Sequence, residues 1–329
     1  MICSQFARTI LVFTALFLTF GGPSQAKAET PEPTSQIEKD QDRAQQSRDF
    51  ANHLFKKGEY YRAIGEYQRY LFLNPKAPDS ELMQLRSGLA YLFGGEYQLA
   101  NHELAQLGRS LKNPEYARMA DFGRSQASFL DGSWKAASVH LKTFTEKHSS
   151  PNTSATTRSR AFSHHALLML GWTHIRLDEL EEAEKAFAKL AKISPPERGY
   201  EKLAQEIYIL RKTPQGKSPS LAGFLSIIPG LGHAYIERPE LAIFSLAWNS
   251  LFIYAAADNI VQENYGTGSI LSAFALLWYS GTIYGAVNGA HKWNRDMKLN
   301  KLEELESDYP ADPGLKLLRS EALRAPGSD

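Results

Sequence analysis

The chain has 329 residues, 43% of them hydrophobic, and its 37 Lys and Arg nearly cancel its 36 Asp and Glu, for a formal charge of +1. No basic excess of the kind that grips nucleic acid is present, so no nucleic-acid partner is expected. Its one cysteine, Cys3, falls in a segment expected to be removed, which excludes disulfides, a thiolate nucleophile and Cys-ligated metals from the mature chain and leaves packing to stabilise it.

Residues 1–28 read as an export signal: Met1 to Arg8 form a short basic region, Thr9 to Phe20 an apolar run, and Ala26-Lys27-Ala28 a small-residue cleavage site before Glu29. The apolar run is shorter than the roughly 20 residues that cross a bilayer, which disfavours an uncleaved anchor. Residues 29–41 are polar and contain Pro, and are expected to be a flexible linker.

From Asp42 a pattern recurs. The first unit has Phe50-Ala51, Leu54, Gly58-Glu59-Tyr60, Ala63, Tyr67, Tyr70 and Asn74-Pro75, which predicts two amphipathic helices around a Gly-containing turn, the second closed by Pro. A second unit has Gly88, Tyr91, Gly95-Glu96-Tyr97, Ala100, Leu104 and Leu107, and a third Ser125, Gly132-Ser133-Trp134, Ala137, Leu141 and Phe144. A fourth has Leu170-Gly171, Leu180, Ala183, Phe187, Leu190 and Pro195. These units resemble the tetratricopeptide repeat, over about Asp42 to Glu197. The family unit is ~34 residues and the spacing here is longer, so the surplus is placed between repeats, its largest piece being a polar loop at Asn152 to Ser163.

The resemblance implies an α-solenoid whose first helices line a concave binding surface. Mapped by the family's pattern, the outward groove positions are Leu82, Leu85, Leu89, Leu92 and Phe93 in unit two, Met119, Phe122, Phe129 and Leu130 in unit three, and Leu168, Trp172 and Ile175 in unit four. Such positions commonly carry charges that grip a ligand; here they are apolar. The expected ligand is therefore a protein partner offering an apolar helix or extended segment, unless a C-terminal element of the same chain covers the patch. Unit one differs, with Arg48, Asn52 and Lys56 as a polar rim.

Tyr200, Leu203, Ile207 and Leu210 predict an amphipathic capping helix, so the solenoid is placed at 42–212 and a breaker-rich linker at 213–218. Residues 219–294 are expected to be a membrane domain. Leu221 to Ile228 is too short to span, and Pro229, Gly230, Gly232, His233 and Tyr235 form a helix-breaking, re-entrant turn. Leu241 to Ala257 and Ser269 to Ala290 lack Lys, Arg, Asp and Glu and read as a transmembrane hairpin. The turn string resembles small membrane domains, including the TM2 type, that open with Pro-Gly-x-Gly-(His or Gln)-x-Tyr. Gly281, Gly285 and Gly289 form a stripe for close helix packing, against the first hairpin helix or a second protomer, so a homo-oligomer is one expectation. Membrane lipid is the other expected partner. The tail, 295–329, reads as an amphipathic helix lying at the interface, then a short helix.

His164-His165 and His174 have metal-ligand spacing, but no HExxH pattern or further ligand accompanies them, so no metal, cofactor or catalytic residue is expected. The reading is an all-α, non-enzymatic adaptor: a tetratricopeptide-like solenoid of about four helix pairs followed by a transmembrane hairpin, placed in the bacterial inner membrane with the repeats in the periplasm. The alternative is an accessory subunit of a transport system in which the glycine-striped hairpin works.

Overall fold

The repeat grammar becomes eight antiparallel helices in a computed structural model that describes residues 33–148, 157–212 and 216–324. The pairs are α1 (Pro33–Lys57) with α2 (Tyr60–Leu73), α3 (Ser80–Phe93) with α4 (Tyr97–Ser110), α5 (Pro114–Leu130) with α6 (Trp134–His148), and α7 (Thr157–Arg176) with α8 (Leu180–Ile193). Helix α9 (Tyr200–Lys212) packs on α8 as the cap. The export signal lies outside the described residues. Two boundaries differ from expectation: α1 begins inside the segment read as a linker, and α7 begins inside the polar loop, because Phe162 is needed in the core, where it is 0% exposed.

All four pairs turn by the same device. Gly58, Gly95 and Gly132 sit at φ of 87, 86 and 73°, and Asp178 holds the equivalent place at 62°. Each donates its N–H three residues back, and the next residue donates five back: Glu59 to Leu54, Glu96 to Tyr91, Ser133 to Ser128 and Glu179 to His174, at 2.8–3.1 Å. This is the Schellman termination, which satisfies the orphan carbonyls at a helix end with one left-handed residue. Ala63, Ala100, Ala137 and Ala183 then start each second helix and are all 0% exposed, so the small residue sits where the two helices meet. Between units two and three, Asn113 caps α5 through Glu115 N–H at 2.9 Å, and the Glu81 carboxylate accepts from the N–H groups of Lys112 and Asn113.

Beyond the solenoid, α10 (Pro219–Leu225) and α11 (Leu231–Tyr235) are too short to span a membrane. Helices α12 (Pro239–Val261) and α13 (Tyr265–Asp308) are each long and apolar enough to do so, and they pack together as a hairpin. Exposed Ile243, Leu246, Ile253, Leu276 and Leu277 cover its outer surface, a composition that suits lipid better than water.

The tail departs from the sequence reading. No Gly or Pro interrupts His291 to Asp308, so the expected interfacial helix is instead the unbroken continuation of α13, a 44-residue helix about 66 Å long. Its last turns leave the hairpin and bury Leu302 and Leu305 against Leu168, Trp172, Leu203 and Ile207. After a turn at Tyr309 to Gly314, α14 (Leu315–Leu323) packs across α3 and α5. Both ends of the hairpin are thereby tied to one solenoid and lie on the same side of it.

Candidate functional site

The concave face is occupied by the chain's own tail. Leu318 and Ala322 of α14 are 0% exposed within the solenoid core, and Gly123 is bare where a Cβ would meet both Leu89 and Leu318. Around this apolar seat, side chains of the first helices bond to tail carbonyls. Trp172 Nε1 donates to Tyr309 O at 3.0 Å, Gln126 Nε2 donates to Pro313 O, and Arg86 Nε donates to Ala322 O at 2.7 Å. His165 Nδ1 lies 3.1 Å from Asp312 O, a contact that requires the Nδ1–H tautomer. In return Arg319 donates to Lys56 O at 2.9 Å. All four groove contacts read main chain, which any peptide offers.

Arg86 is the most demanding of them. It is 7% exposed, Asn52 Oδ1 accepts from it at 2.7 Å, and burial lowers its pKa, partly offset by Tyr67, Tyr116 and Asp79. A cation at the last carbonyls of α14 also suits the negative end of that helix. Beside it opens a cavity of about 860 Å³, walled by Arg48, Asn52, Lys56, Asp79 and Leu323. Arg48 pairs with Asp79 at 3.1 Å, and the Tyr70 hydroxyl donates to the same carboxylate, its pKa pushed up to about 12 by burial and Asp79. The polar rim expected from unit one thus closes the far end of the groove.

None of the twelve groove residues is an open contact surface. Leu82, Leu85, Leu89, Leu92, Met119, Phe122, Leu168, Trp172 and Ile175 are all buried, and Phe93, Phe129 and Leu130 are partly buried against the core. They also divide by role. Leu89 and Trp172 touch the region of the tail, and Leu82 borders the polar cavity. Phe93 instead packs on Phe55 and Tyr60, Phe122 on Phe144 and Phe162, and Phe129 on Trp134, with ring centroids 4.9–5.8 Å apart. Those three join helices within the solenoid: Phe93 and Phe122 reach the neighbouring pair at Phe55, Tyr60 and Phe162, while Phe129 packs on Trp134 of its own pair. Of the four residues that grip the tail, Trp172 is one of the twelve groove positions, whereas Arg86, Gln126 and His165 lie outside that set. Their signal is a polar side chain inside an otherwise apolar first-helix stripe.

The turn between α10 and α11 works as an interlock. A Cβ on Gly230 (φ 90°) would meet Ala242 O at 2.4 Å, and one on Gly232 would meet Ser226 Oγ and Ala222 O, so bare backbone lets α10, α11 and α12 close together. Pro229 precedes this contact. The Tyr235 hydroxyl accepts from Ser218 N–H at 2.8 Å, and Asn294 both accepts from and donates to the Lys217 backbone, which clamps the linker to the start of the stalk. The glycine stripe is used differently from expectation. Gly285 faces His233 and Gly289 faces Ile236, so the stripe seats α11, and only Gly281 remains open. The two apolar helices each carry an asparagine: Asn249 is buried and donates to Ser245 O at 2.7 Å, whereas Asn288 is exposed.

The other two histidines with metal-ligand spacing have protein partners: His164 packs on Tyr200 with centroids 5.3 Å apart, and His174 lies 2.7 Å from Glu179. Among the described residues no three His, Cys, Asp or Glu side chains group as metal ligands. No family model and no curated protein matches this sequence.

Proposed function

We propose that the chain is a non-enzymatic, membrane-anchored adaptor of the tetratricopeptide kind, whose groove exchanges its own α14 for an apolar segment of a protein partner. The observation that supports this most is the mode of α14 binding: one apolar anchor, Leu318, in a buried seat, surrounded by side chains whose hydrogen bonds to the tail go to main-chain carbonyls. A fully buried leucine contributes about 2 kcal/mol and each net hydrogen bond about 1 kcal/mol, so a foreign helix of similar form competes on even terms. The covalent link gives α14 a high local concentration, so only a partner that binds more tightly, or is itself tethered at the membrane, displaces it.

The site of action we propose is the bacterial inner membrane, with the solenoid in the periplasm, in envelope assembly or secretion. The export signal supports that side. Lys217, Arg238, Lys292, Arg295 and Lys298 flank the hairpin on the solenoid's side, which positive-inside counting would place in the cytoplasm; however, long domains led by a signal translocate largely regardless of such charges. Protease added to spheroplasts digests the solenoid if this orientation holds and spares it if the charges decide.

The groove is tested in cells by a photo-crosslinking residue at Leu89, with and without Leu318→Asp. In the wild-type protein the adduct falls on α14. In the variant a discrete foreign protein is captured, and an excess of α14 peptide abolishes the adduct. An unchanged tail adduct, or no competed partner in the variant, makes the tail a permanent part of the core and overturns the adaptor reading. The second reading, a transport accessory with the hairpin as its working part, is favoured by the cavity between α12 and α13.

A further inference from the structure

We propose that the cleft between α11, α12 and α13 binds a neutral, membrane-dissolved apolar alcohol, its hydroxyl at His233 and its chain directed to the bilayer centre. The proposal rests on the hairpin's lying in a membrane. The cleft is a cavity of about 480 Å³ with His233, Ser245 and Thr282 at its polar end and Phe252 and Phe274 at its apolar end. From Leu241 to Phe252 it runs about 16 Å along α12, half of a ~30 Å hydrocarbon core. The polar end lies on the solenoid's side, where the hairpin leaves the membrane. An amphiphile in a leaflet has the same polarity gradient.

The hydrogen-bond accounting selects the head group. Thr282 Oγ1 donates to Tyr279 O at 2.8 Å, and Asn249 Nδ2 donates to Ser245 O at 2.7 Å. The His233 ring turns its Nε2 edge to α13 at Gly285. Two buried atoms are left without partners, His233 Nδ1 and Asn249 Oδ1. With the proton on Nε2, Nδ1 is an acceptor, as is Oδ1. His233 is 7% exposed and borders the cleft; Asn249 is 1% exposed and is held by Ser245 and Thr282 of its wall. Unpaired acceptors in a medium without water are costly. A carboxylate or phosphate brings further acceptors, and an ammonium brings a charge into hydrocarbon. A hydroxyl supplies the one donor that His233 Nδ1 lacks at neither cost. Gly281 keeps the cleft open, since nothing lies within 4 Å of the place its Cβ would take.

The full chain, reconstituted in phosphatidylcholine nanodiscs, is photolabelled with a diazirine-bearing long-chain alcohol and, in parallel, with its methyl ether, which lacks the donor. The alcohol is expected to label α12 and α13 along the cleft about tenfold more than the ether, the ratio that one hydrogen bond supports. Gly281→Leu, which fills the cleft, should suppress labelling there by both probes, and His233→Phe should bring the ratio close to one. Equal labelling by the two probes, or labelling indifferent to Gly281→Leu, overturns the site. Failure of the protein to enter nanodiscs overturns the membrane reading itself, and is seen separately by co-elution.

Discussion

Asp178 occupies the left-handed turn position that glycine holds in the other three repeats, and its carboxylate pairs with Lys298 on the stalk of α13. Two effects therefore compete there. A non-glycine residue at positive φ costs roughly 1 kcal/mol, while an ion pair whose side chains are 34% and 78% exposed contributes well under 1 kcal/mol. Asp178→Gly is expected to leave the solenoid unchanged or more stable by up to about 1 kcal/mol, and Lys298→Ala to leave it within about 0.5 kcal/mol. Urea denaturation followed by circular dichroism measures both; a clear loss on Asp178→Gly would make the stalk contact a significant one.

Arg86→Ala should act on the tail far more than on the repeats. The guanidinium is the donor for Ala322 O, Arg324 O and Asn52 Oδ1; Asn52 Oδ1 keeps the Tyr67 hydroxyl and Arg324 is exposed, so truncation chiefly deprives Ala322 O of its side-chain donor, at about 1–3 kcal/mol. Amide hydrogen exchange in Leu315 to Leu323 is expected to accelerate at least tenfold, while α12 and the hairpin half of α13 keep their protection. Uniform acceleration across the solenoid would instead mark Arg86 as a core residue with no particular claim on the tail.

The repeats were legible because their determinants are local: a left-handed turn residue, a small residue at the fourth position of each second helix, and a pattern that recurs over four units. The groove was half legible. Counting apolar positions on α3, α5 and α7 finds residues such as Leu89 and Trp172, but the same count returns Phe93 and Phe122, because a helix buried on two faces has no single apolar stripe. That a C-terminal element covers the groove was one of two expectations; which segment does so was beyond reach. Whether Leu318 returns to Gly123 depends on the direction α13 takes on leaving the hairpin, which no local pattern encodes. His291 to Asp308 has an amphipathic pattern that suits a membrane surface and a protein groove equally, and only the docking of Leu302 and Leu305 decides between them.

Gly171→Ala tests the crossing of α7 and α8. Helix propensity alone favours alanine by about 1 kcal/mol. The new Cβ, however, would lie 2.3 Å from Phe187 Cε1 and 2.5 Å from its Cζ, and that ring is 0% exposed and held against Trp172. Overpacking of a confined ring costs about 1–3 kcal/mol, so the clash outweighs the propensity and the melting temperature should fall. Gly65, with no atom within 4 Å of its would-be Cβ, is the control at which the same substitution should raise it.

Acid should loosen the tail before it unfolds the repeats. Burial, reinforced by His165 and Arg198, lowers the His164 pKa from 6.5 to about 4. Tyr200, itself packed on Tyr309, lies against it, and Asp312 alone among the charged groups favours the proton. Because the folded-state value is the lower one, the unfolded or undocked chain takes up a proton that the docked state refuses. Stability is then complete above pH 6.5, declines as pH falls toward about 4, and falls no further on this account below it. His140, lowered to about 4 by burial and Arg124, contributes with the same sign from α6. Hydrogen exchange in Leu315 to Leu323 should accelerate across that window, His164→Gln should flatten the dependence, and His140→Gln should leave it in place. A tail profile equally sensitive to both substitutions would assign the pH response to the solenoid as a whole.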